Sequence, residues 1–239
     1  MAFEFILLLL VAYLLGSVPA AYLAARWSRG IDIRQYGSGN VGVANLRRRA
    51  SKWLLIPTII FDLGKGIVMV WAAQLMGFSI AQQVAVGLAA IIGHNWPVFL
   101  RFSGGRGAIT TLGVALLLPL INGPLMPWEI LVFMAAAGIG LLITHETPLG
   151  VGIGIATMPL VSWGVDKPLP MTLGFLAMFL LMVIRRLTAP KTSVTASVPS
   201  GELVLNRLLF DRDIRNREAW LSRQPIEQAE NQKEDDPTK

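Results

Sequence analysis

Long apolar stretches separated by short polar segments make up most of the chain before residue 188. A helix that crosses a lipid bilayer needs about 20 mainly apolar residues, and several of these stretches reach or approach that length. The pattern therefore predicts an all-α, polytopic integral membrane protein with seven transmembrane helices. The predicted helices lie at roughly 3–25, 53–76, 80–97, 107–121, 128–145, 148–164 and 169–187.

Basic residues alternate between the predicted connections. Seven basic residues and one acidic residue lie between residues 26 and 52, and two arginines lie in the connection at 94–106. The connections at 77–79 and 122–127 contain no charged residue. Because short basic loops stay in the cytoplasm, we expect the N-terminus outside and the C-terminus in the cytoplasm.

The composition narrows the chemistry that the protein can perform. Apolar residues make up 54% of the 239 positions and charged residues 15%, a balance typical of membrane proteins. The absence of cysteine excludes disulfides, thiolate catalysis and cysteine-based metal sites. Because His94 and His145 are the only histidines, a histidine-rich metal site is not expected either. We expect no metal, no cofactor and no nucleic acid partner.

The chain changes character at about residue 189. Residues 1–188 form the predicted transmembrane domain, and residues 189–239 form a predicted cytoplasmic tail, in which eight basic and nine acidic residues nearly cancel. Apolar and basic residues mix at about 202–222, a pattern typical of a helix that lies on the inner leaflet. Beyond Pro225 the polar, charged sequence predicts disorder.

A glycine-rich segment with short polar side chains lies in the first basic connection. It reads Gly37-Ser38-Gly39-Asn40-Val41-Gly42, and Asn45 and three consecutive arginines at 47–49 follow it. Glycine permits positive φ angles and lets a bulky anion approach the backbone amides, while arginine neutralises phosphate charge. The segment therefore predicts a phosphate site; the alternative is a flexible basic loop that only fixes the membrane orientation. It is not a nucleotide P-loop, because no Gly-Lys-Ser/Thr follows.

A second segment of this kind lies in the next basic connection. There, Gly93-His94-Asn95-Trp96-Pro97 is followed by Gly104-Gly105-Arg106-Gly107, at the predicted start of a helix whose positive dipole end would attract an anion. Two such segments on one membrane face imply two phosphate-bearing groups. For His94, a hydrogen bond to a helix-end carbonyl and a role in an active site both remain open.

Two charged residues lie inside the second predicted span. Asp62 and Lys65 are three residues apart and therefore share one helical face. Because charge is costly within a membrane, we expect them to form a structural ion pair; support of a nearby polar pocket is the second interpretation. In the first span, Gly16, Ser17 and Pro19 predict a bend and close helix packing.

In order and spacing, these motifs resemble the bacterial acyl-phosphate-dependent glycerol-3-phosphate acyltransferases, the PlsY type. The resemblance covers residues 1 to about 188. It implies a multi-pass protein of the cell inner membrane with seven transmembrane helices, an outside N-terminus and an active site that faces the cytoplasm. The positions that carry it are residues 13–19, 37–42, Asn45, Arg48, Asp62, Lys65, Gly66, 93–99 and 104–107.

The resemblance also implies a reaction. The family transfers an acyl chain from acyl phosphate to the 1-hydroxyl of sn-glycerol 3-phosphate, giving lysophosphatidate and phosphate as the first step of phospholipid synthesis. Acyl phosphate and glycerol 3-phosphate are then the substrates, and membrane lipid surrounds the protein. By position, the resemblance implies Ser38 and His94 as catalytic residues, acting through positioning and charge rather than as a dyad. It implies substrate or phosphate binding by Gly37, Gly39, Asn40, Asn45, Arg48, Gly104, Gly105, Arg106 and Gly107.

The chain departs from the family pattern at three places. Arg106 replaces a lysine, and Ser103 stands where the family often has lysine. Residues 184–189 stand where the family has His-Arg-Glu-Asn-Ile, so that its His, Glu and Asn are missing. Residues 215–218 of the tail could restore similar groups or could form a solvated helix face. Two other functions therefore stay open: a small membrane transporter or binding protein for organophosphates, and a degenerate, non-catalytic homologue.

Overall fold

The fold is helical throughout the part of the chain that can be described. A computed structural model of the protein describes residues 1–49, 52–123, 127–190, 195 and 198–223. No strand occurs among these residues, which confirms the predicted all-α class. Their α-helices are α1 Ala2–Ser17, α2 Ala20–Arg29, α3 Val43–Arg49, α4 Leu55–Leu75, α5 Ile80–Asn95, α6 Ala108–Asn122, α7 Trp128–Thr144, α8 Thr147–Gly164, α9 Leu169–Leu187, α10 Ser200–Phe210 and α11 Arg217–Ser222.

Several of these helices are suited to a bilayer. Within the described ranges, four helical stretches are long and apolar enough to cross a membrane: Ala2–Arg29, Lys52–Leu75, Ile80–Leu100 and Leu169–Leu187. The helices α6 and α7 are apolar but shorter. Large apolar side chains such as Leu142 and Leu160 point away from the protein, a surface that fits lipid rather than water. Seven crossings and the orientation of the termini stay predictions.

The first apolar stretch is broken where the sequence predicts a bend. Helix α1 ends at Ser17 and α2 begins at Ala20, with Pro19 at the start of α2. A Cβ on Gly16 would lie 2.2 Å from the Ala90 carbonyl oxygen, so α1 and α5 touch backbone to backbone. Small residues permit this contact, which confirms the predicted close packing.

The centre of the bundle is apolar and holds its helices at short distances. Val114 of α6 and Phe175 of α9 are fully buried there. A Cβ on Gly113 would lie 2.3 Å from the Leu63 carbonyl oxygen, so α6 crosses α4 closely. Close packing of this kind sets how α4 and α6 lie against each other.

The tail packs back against the C-terminal end of α9 and the connection between α7 and α8. Arg207 donates to the Leu187 carbonyl at 2.8 Å, and Arg212 pairs with Glu146 at 2.7 Å. The segment predicted as one surface helix contains α10 and α11, separated at Asp211, whose φ of 54° ends α10. The predicted disorder beyond Pro225 lies outside the described residues.

Candidate functional site

The buried Asp62 carboxylate lies between a lysine of its own helix, α4, and a histidine of α5. Its Oδ1 atom lies 2.9 Å from Lys65 Nζ and 3.5 Å from His94 Nδ1. The predicted Asp62–Lys65 ion pair is therefore present, and it also orients a histidine of the second glycine-rich connection. Sequence reasoning missed this contact with His94, although charged residues in an apolar helix are themselves a signal for a functional site.

Lys65 links this pair to the break in the first stretch. Its Nζ atom donates to the Gly16 carbonyl at 2.9 Å and to the Val18 carbonyl at 3.4 Å. The Gly16 carbonyl is among the last of α1 and lacks a partner within that helix, so the ammonium group satisfies a group that would otherwise be buried without one. The Val18 carbonyl also accepts a hydrogen bond from the Ala20 amide at 3.2 Å. The break, α4 and α5 thus form one polar network.

His94 has a second nitrogen that faces the second glycine loop, which we define as residues 104–107. A Cβ on Gly105 would lie 2.1 Å from His94 Nε2, so only glycine fits at this position. The imidazole lies between the Asp62 carboxylate on one side and the Gly105 backbone on the other. The helix-end interpretation of His94 is therefore incomplete, because its Nδ1 faces a carboxylate.

A narrow cavity, with room for about one water molecule, opens beside His94. It lies where the break in the first stretch meets parts of both glycine-rich connections. Its lining comprises Gly16, Ser17, Val18, Pro19, Ala20, Val41, His94, Pro97, Gly104 and Gly105. The expected site residues His94, Gly104 and Gly105 thus face one space, whereas Ser38, Asn40 and Arg48 are outside this lining.

Arg185 of α9 fixes the second glycine loop. Its Nε and Nη2 atoms donate to the carbonyls of Gly105 and Gly104, each at 2.8 Å, and its guanidinium lies 5.7 Å from the centre of the Trp96 ring. The side chain is only 2% exposed. Sequence reasoning did not assign this role; the available signal was a pair of arginines at the end of an apolar helix.

Arg106 is held by two other parts of the chain. Its Nη1 atom donates to the Arg185 carbonyl at 3.3 Å, and its Nε atom lies 2.6 Å from Asp211 Oδ1 in the tail. The contact with Asp211 is an ion pair that is not aligned as a hydrogen bond. The expected phosphate-binding cation therefore already has an anionic neighbour.

Asn45 shapes the first glycine loop, which we define as residues 37–42. The Asn45 amide is buried and donates to the carbonyls of Ile33, Tyr36 and Asn40 at 3.0–3.1 Å. Gly37 and Gly39 adopt φ angles of 54° and 68°, which glycine permits. Phosphate binding by Asn45 stays a prediction; what the geometry shows is a side chain that holds the loop together.

Several loop amides are engaged within the protein rather than open to an anion. The Gly37 amide donates to the Arg223 carbonyl at 2.9 Å, the Gly39 amide to Tyr36 at 2.9 Å, and the Gly105 amide to His94 at 3.1 Å. The sequence predicted backbone amides that could bind an anion, but the amides at these three positions already donate to carbonyls of the protein.

Arg34 connects the two glycine-rich connections. It pairs with Asp32 at 2.6 Å and donates to the Leu100 carbonyl at 3.5 Å. Burial alone would raise the pKa of the Asp32 carboxyl, but hydrogen bonds and attraction from Arg34 outweigh it and hold the pKa below its ordinary value. Arg34 is thus neutralised, whereas Arg47 and Arg48 on α3 are exposed.

The tail residues at 215–218 do not replace the missing groups of the last helix. All four are exposed, and Asn216 caps α11 by accepting a hydrogen bond from the Ala219 amide at 3.0 Å. The solvated interpretation of this segment is therefore confirmed.

Comparisons with known proteins agree on one family. The family model described as glycerol-3-phosphate acyltransferase matches residues 6–192. Glycerol-3-phosphate acyltransferase 5 of Dehalococcoides mccartyi is 43% identical over 97% of this chain and 99% of its own length. Glycerol-3-phosphate acyltransferase 4 from another strain of that organism is 42% identical over 92% of this chain and 94% of its own length.

Solved structures show the same likeness in three dimensions. The crystal structure of PlsY (YgiH), an integral membrane glycerol 3-phosphate acyltransferase, in its glycerol 3-phosphate form matches with a TM-score of 0.70 and 26% identity, covering 89% of this chain and 96% of that one. The lysophosphatidic acid form matches with a TM-score of 0.66 over 91% and 98% of the two chains. Together with the apolar helices, these matches identify the fold as that of an integral membrane protein.

Proposed function

Because the chain belongs to the glycerol-3-phosphate acyltransferase family, we propose that it transfers an acyl group from acyl phosphate to the 1-hydroxyl of sn-glycerol 3-phosphate. The products are lysophosphatidate and inorganic phosphate. The protein is an acyltransferase of the membrane, as its family membership and fold require. We propose the acyl donor, the residues of the site and the orientation of the protein in the membrane.

The chemistry needs little covalent help from the protein. The hydroxyl oxygen attacks the carbonyl carbon of the mixed anhydride, the bond from that carbon to the phosphate oxygen breaks, and phosphate leaves with the electron pair. The hydroxyl proton passes to the leaving phosphate. Because the donor is already activated, positioning and charge stabilisation can supply most of the acceleration.

The placement of His94 between Asp62 and the second glycine loop, at a narrow cavity with room for about one water molecule, is the observation that carries this proposal. A histidine held by Asp62 and a loop of glycines held by Arg185 face the same space as the break in the first stretch. We assign His94 to a contact with the reacting groups and the second glycine loop to the close approach of a phosphate. Ser38, Asn40 and Arg48 are assigned to the other phosphate, beside the first glycine loop.

The charge pattern supports a cytoplasmic site. Both glycine loops belong to the two basic connections, and basic short loops stay on the cytoplasmic side. We therefore place the protein in the cell inner membrane with seven crossings, an outside N-terminus and the tail in the cytoplasm.

An acyl-transfer assay tests the proposal. The purified full-length protein in detergent or lipid is given acyl phosphate and glycerol 3-phosphate, and lysophosphatidate formation is measured beside a control enzyme. A protein that makes none while the control does would defeat the proposed reaction.

A degenerate homologue that only binds substrate is the second candidate. The loss of His, Glu and Asn at the end of α9 and the contact between Arg106 and Asp211 favour it. Glycerol 3-phosphate binding without turnover in the same preparation would identify this second function.

A further inference from the structure

Asn95, the last residue of α5, has a buried side-chain amide without a partner. The residue is 1% exposed. Neither its Nδ2 nor its Oδ1 atom has a hydrogen-bond partner among the described residues. Burying an amide in this way is costly, and a native fold seldom does so without a ligand, an ion or an ordered water at the group. The amide therefore offers both a donor and an acceptor to a small polar molecule.

Asn45 shows the contrasting case of an asparagine that holds its loop together. A Cβ on Gly37 would lie 2.6 Å from Asn45 Oδ1, and a Cβ on Gly107 would lie 2.5 Å from Asn95 Oδ1, so each amide oxygen lies against a glycine with a positive φ angle. The Nδ2 atom of Asn45 donates to three backbone carbonyls. Within the described ranges, Asn95 holds no carbonyl in this way. Loop support therefore does not explain Asn95.

The start of α6 adds further polar groups beside this amide. Gly107 is the N-cap of α6 and has no side chain that could cap the helix, whose first amides lack an acceptor within it. The Thr110 hydroxyl, in the first turn, is fully buried and has no partner in the described part of the chain. By contrast, Thr58 and Thr144 donate to the carbonyl four residues earlier at 2.7 and 2.6 Å. Two polar side chains without partners thus meet one uncapped helix end.

These groups adjoin the proposed site. Asn95 follows His94, and Gly107 lies two residues after Gly105; His94 and Gly105 both line the narrow cavity. Because the cavity has room for about one water molecule, a substrate can enter only when part of its wall moves. The second glycine loop belongs to that wall, and its last residue lies against the Asn95 amide. Movement of this loop would bring the amide into contact with the substrate.

The chemistry of these groups fits a hydroxyl better than a phosphate oxygen. An ionised phosphate oxygen accepts hydrogen bonds but donates none, so it would leave Asn95 Oδ1 without a partner. A hydroxyl donates to Oδ1 and accepts from Nδ2 or from the Thr110 hydroxyl. In glycerol 3-phosphate, C2 lies between the reacting 1-hydroxyl and the phosphate. In the protein, Asn95 adjoins both His94, assigned to the reacting groups, and the second glycine loop, assigned to a phosphate.

We propose that Asn95 is a specificity-determining residue that binds the 2-hydroxyl of the acceptor, with Thr110 as a second contact. The inference rests on the proposed function for the identity of the acceptor. It assigns the buried amide a ligand that is present only during binding and turnover. It also gives the protein a means to distinguish a glycerol phosphate from a phosphate monoester without the middle hydroxyl.

An acceptor that lacks the 2-hydroxyl tests this role. The compound 3-hydroxypropyl phosphate keeps a reacting hydroxyl and a phosphate at the same separation. We measure kcat/KM for both acceptors with the wild type, Asn95→Ala, Asn95→Leu and Thr110→Val; the leucine fills the space of the amide if the alanine variant does not fold. Loss of one neutral hydrogen bond predicts a fall of about three- to tenfold with glycerol 3-phosphate and a change below about twofold with the analogue.

Asn122→Ala is the matched control. Asn122 ends α6 at the opposite side of the bundle, and its Nδ2 atom donates to Gln83 Oε1 at 2.6 Å and to the Leu118 carbonyl at 3.0 Å. We expect this variant to lower the melting temperature while keeping the wild-type ratio of kcat/KM for the two acceptors. Equal losses with both acceptors in the Asn95 variants would overturn the inference, because they indicate a purely structural role. Unchanged kinetics with both acceptors would overturn it as well.

Equilibrium binding keeps this inference distinct from the proposed reaction. Glycerol 3-phosphate and 3-hydroxypropyl phosphate are titrated into the wild type and Asn95→Leu without acyl phosphate. If the wild type makes no lysophosphatidate but prefers glycerol 3-phosphate, and Asn95→Leu removes that preference, the reaction fails and the role of Asn95 stands. A preference that persists in Asn95→Leu refutes this role, and so does a wild type that binds both compounds equally or binds neither.

Discussion

The Nε atom of Arg106 lies 2.6 Å from the Oδ1 atom of Asp211, so a carboxylate of the tail meets the cation of the second glycine loop. The two side chains are only 11% and 16% exposed. A carboxylate in this position competes with any phosphate that approaches for the positive charge of Arg106. The tail therefore contacts both glycine loops, at Arg106 through Asp211 and at Gly37 through Arg223.

Removing the charge of Asp211 should strengthen binding of a phosphorylated substrate. In Asp211→Asn, Arg106 loses its anionic neighbour and can give its full charge to phosphate, so we expect one KM to fall about three- to tenfold. Glu218→Gln, which removes an exposed acid of the same tail, is the control. A KM that rises in Asp211→Asn would instead show that Asp211 holds Arg106 in its binding position.

His94→Ala should lower turnover strongly while the protein stays folded. The imidazole lies between Asp62 and Gly105 in the proposed site, and the loss of a group that positions the reacting atoms can cost about a hundredfold. We expect kcat to fall by about that factor in the acyl-transfer assay. His145→Ala, at an exposed turn, should keep wild-type kinetics, and full activity in His94→Ala would remove this residue from the site.

Gly105→Ala tests the contact between the second glycine loop and the histidine. The added methyl group would lie 2.1 Å from His94 Nε2, so either the loop or the imidazole must move. We expect activity to fall about as far as in His94→Ala, because a displacement of about 1 Å can cost about a hundredfold. Gly138→Ala, which places a methyl group in open space, serves as the control for a glycine substitution. Normal activity in Gly105→Ala would mean that His94 needs no fixed position.

Arg185→Lys keeps the charge but cannot hold two carbonyls as the guanidinium does. The carbonyls of Gly104 and Gly105 would lose at least one donor, at a cost of about 1–3 kcal/mol for a buried group left without its partner. We expect a lower melting temperature and a lower kcat, with residual activity. Arg101→Lys, at an exposed position in the same connection, should leave both unchanged. Unaltered kinetics in Arg185→Lys would show that the second glycine loop keeps its shape without the two hydrogen bonds from the guanidinium.

Ser38→Ala and Arg48→Ala test the first glycine loop as a phosphate site. The Ser38 hydroxyl accepts a hydrogen bond from the Asn40 amide at 3.3 Å, and Arg48 is exposed on α3. If both contact phosphate, each variant should raise one KM about tenfold, the effect of one lost charge-assisted bond. Arg47→Ala, next to Arg48 and equally exposed, gives the control. Equal effects of Arg47→Ala and Arg48→Ala would indicate general attraction by a basic surface.

Features that depend on neighbours in the chain could be predicted from the residues alone. The all-helical class follows from apolar stretches, the break near Pro19 from proline chemistry, and the positive φ angles of Gly37 and Gly39 from the lack of a side chain. Asp62 and Lys65 pair because three residues along a helix bring side chains to one face. Each of these outcomes is settled within about one turn of backbone.

The contacts that complete the site depend on packing between distant segments. Asp62 contacts His94, and Arg185 contacts Gly105. The tail contacts both glycine loops. All of these contacts depend on how far the helices are shifted along their axes and rotated about them. No local sequence pattern specifies these shifts and rotations. Close contacts between helices at glycines specify them, such as that of Gly16 with Ala90. Local sequence therefore decided which residues could bind phosphate. The packed bundle decided which of them share a cavity and which already have partners within the protein. Such contacts arise only once distant helices pack together.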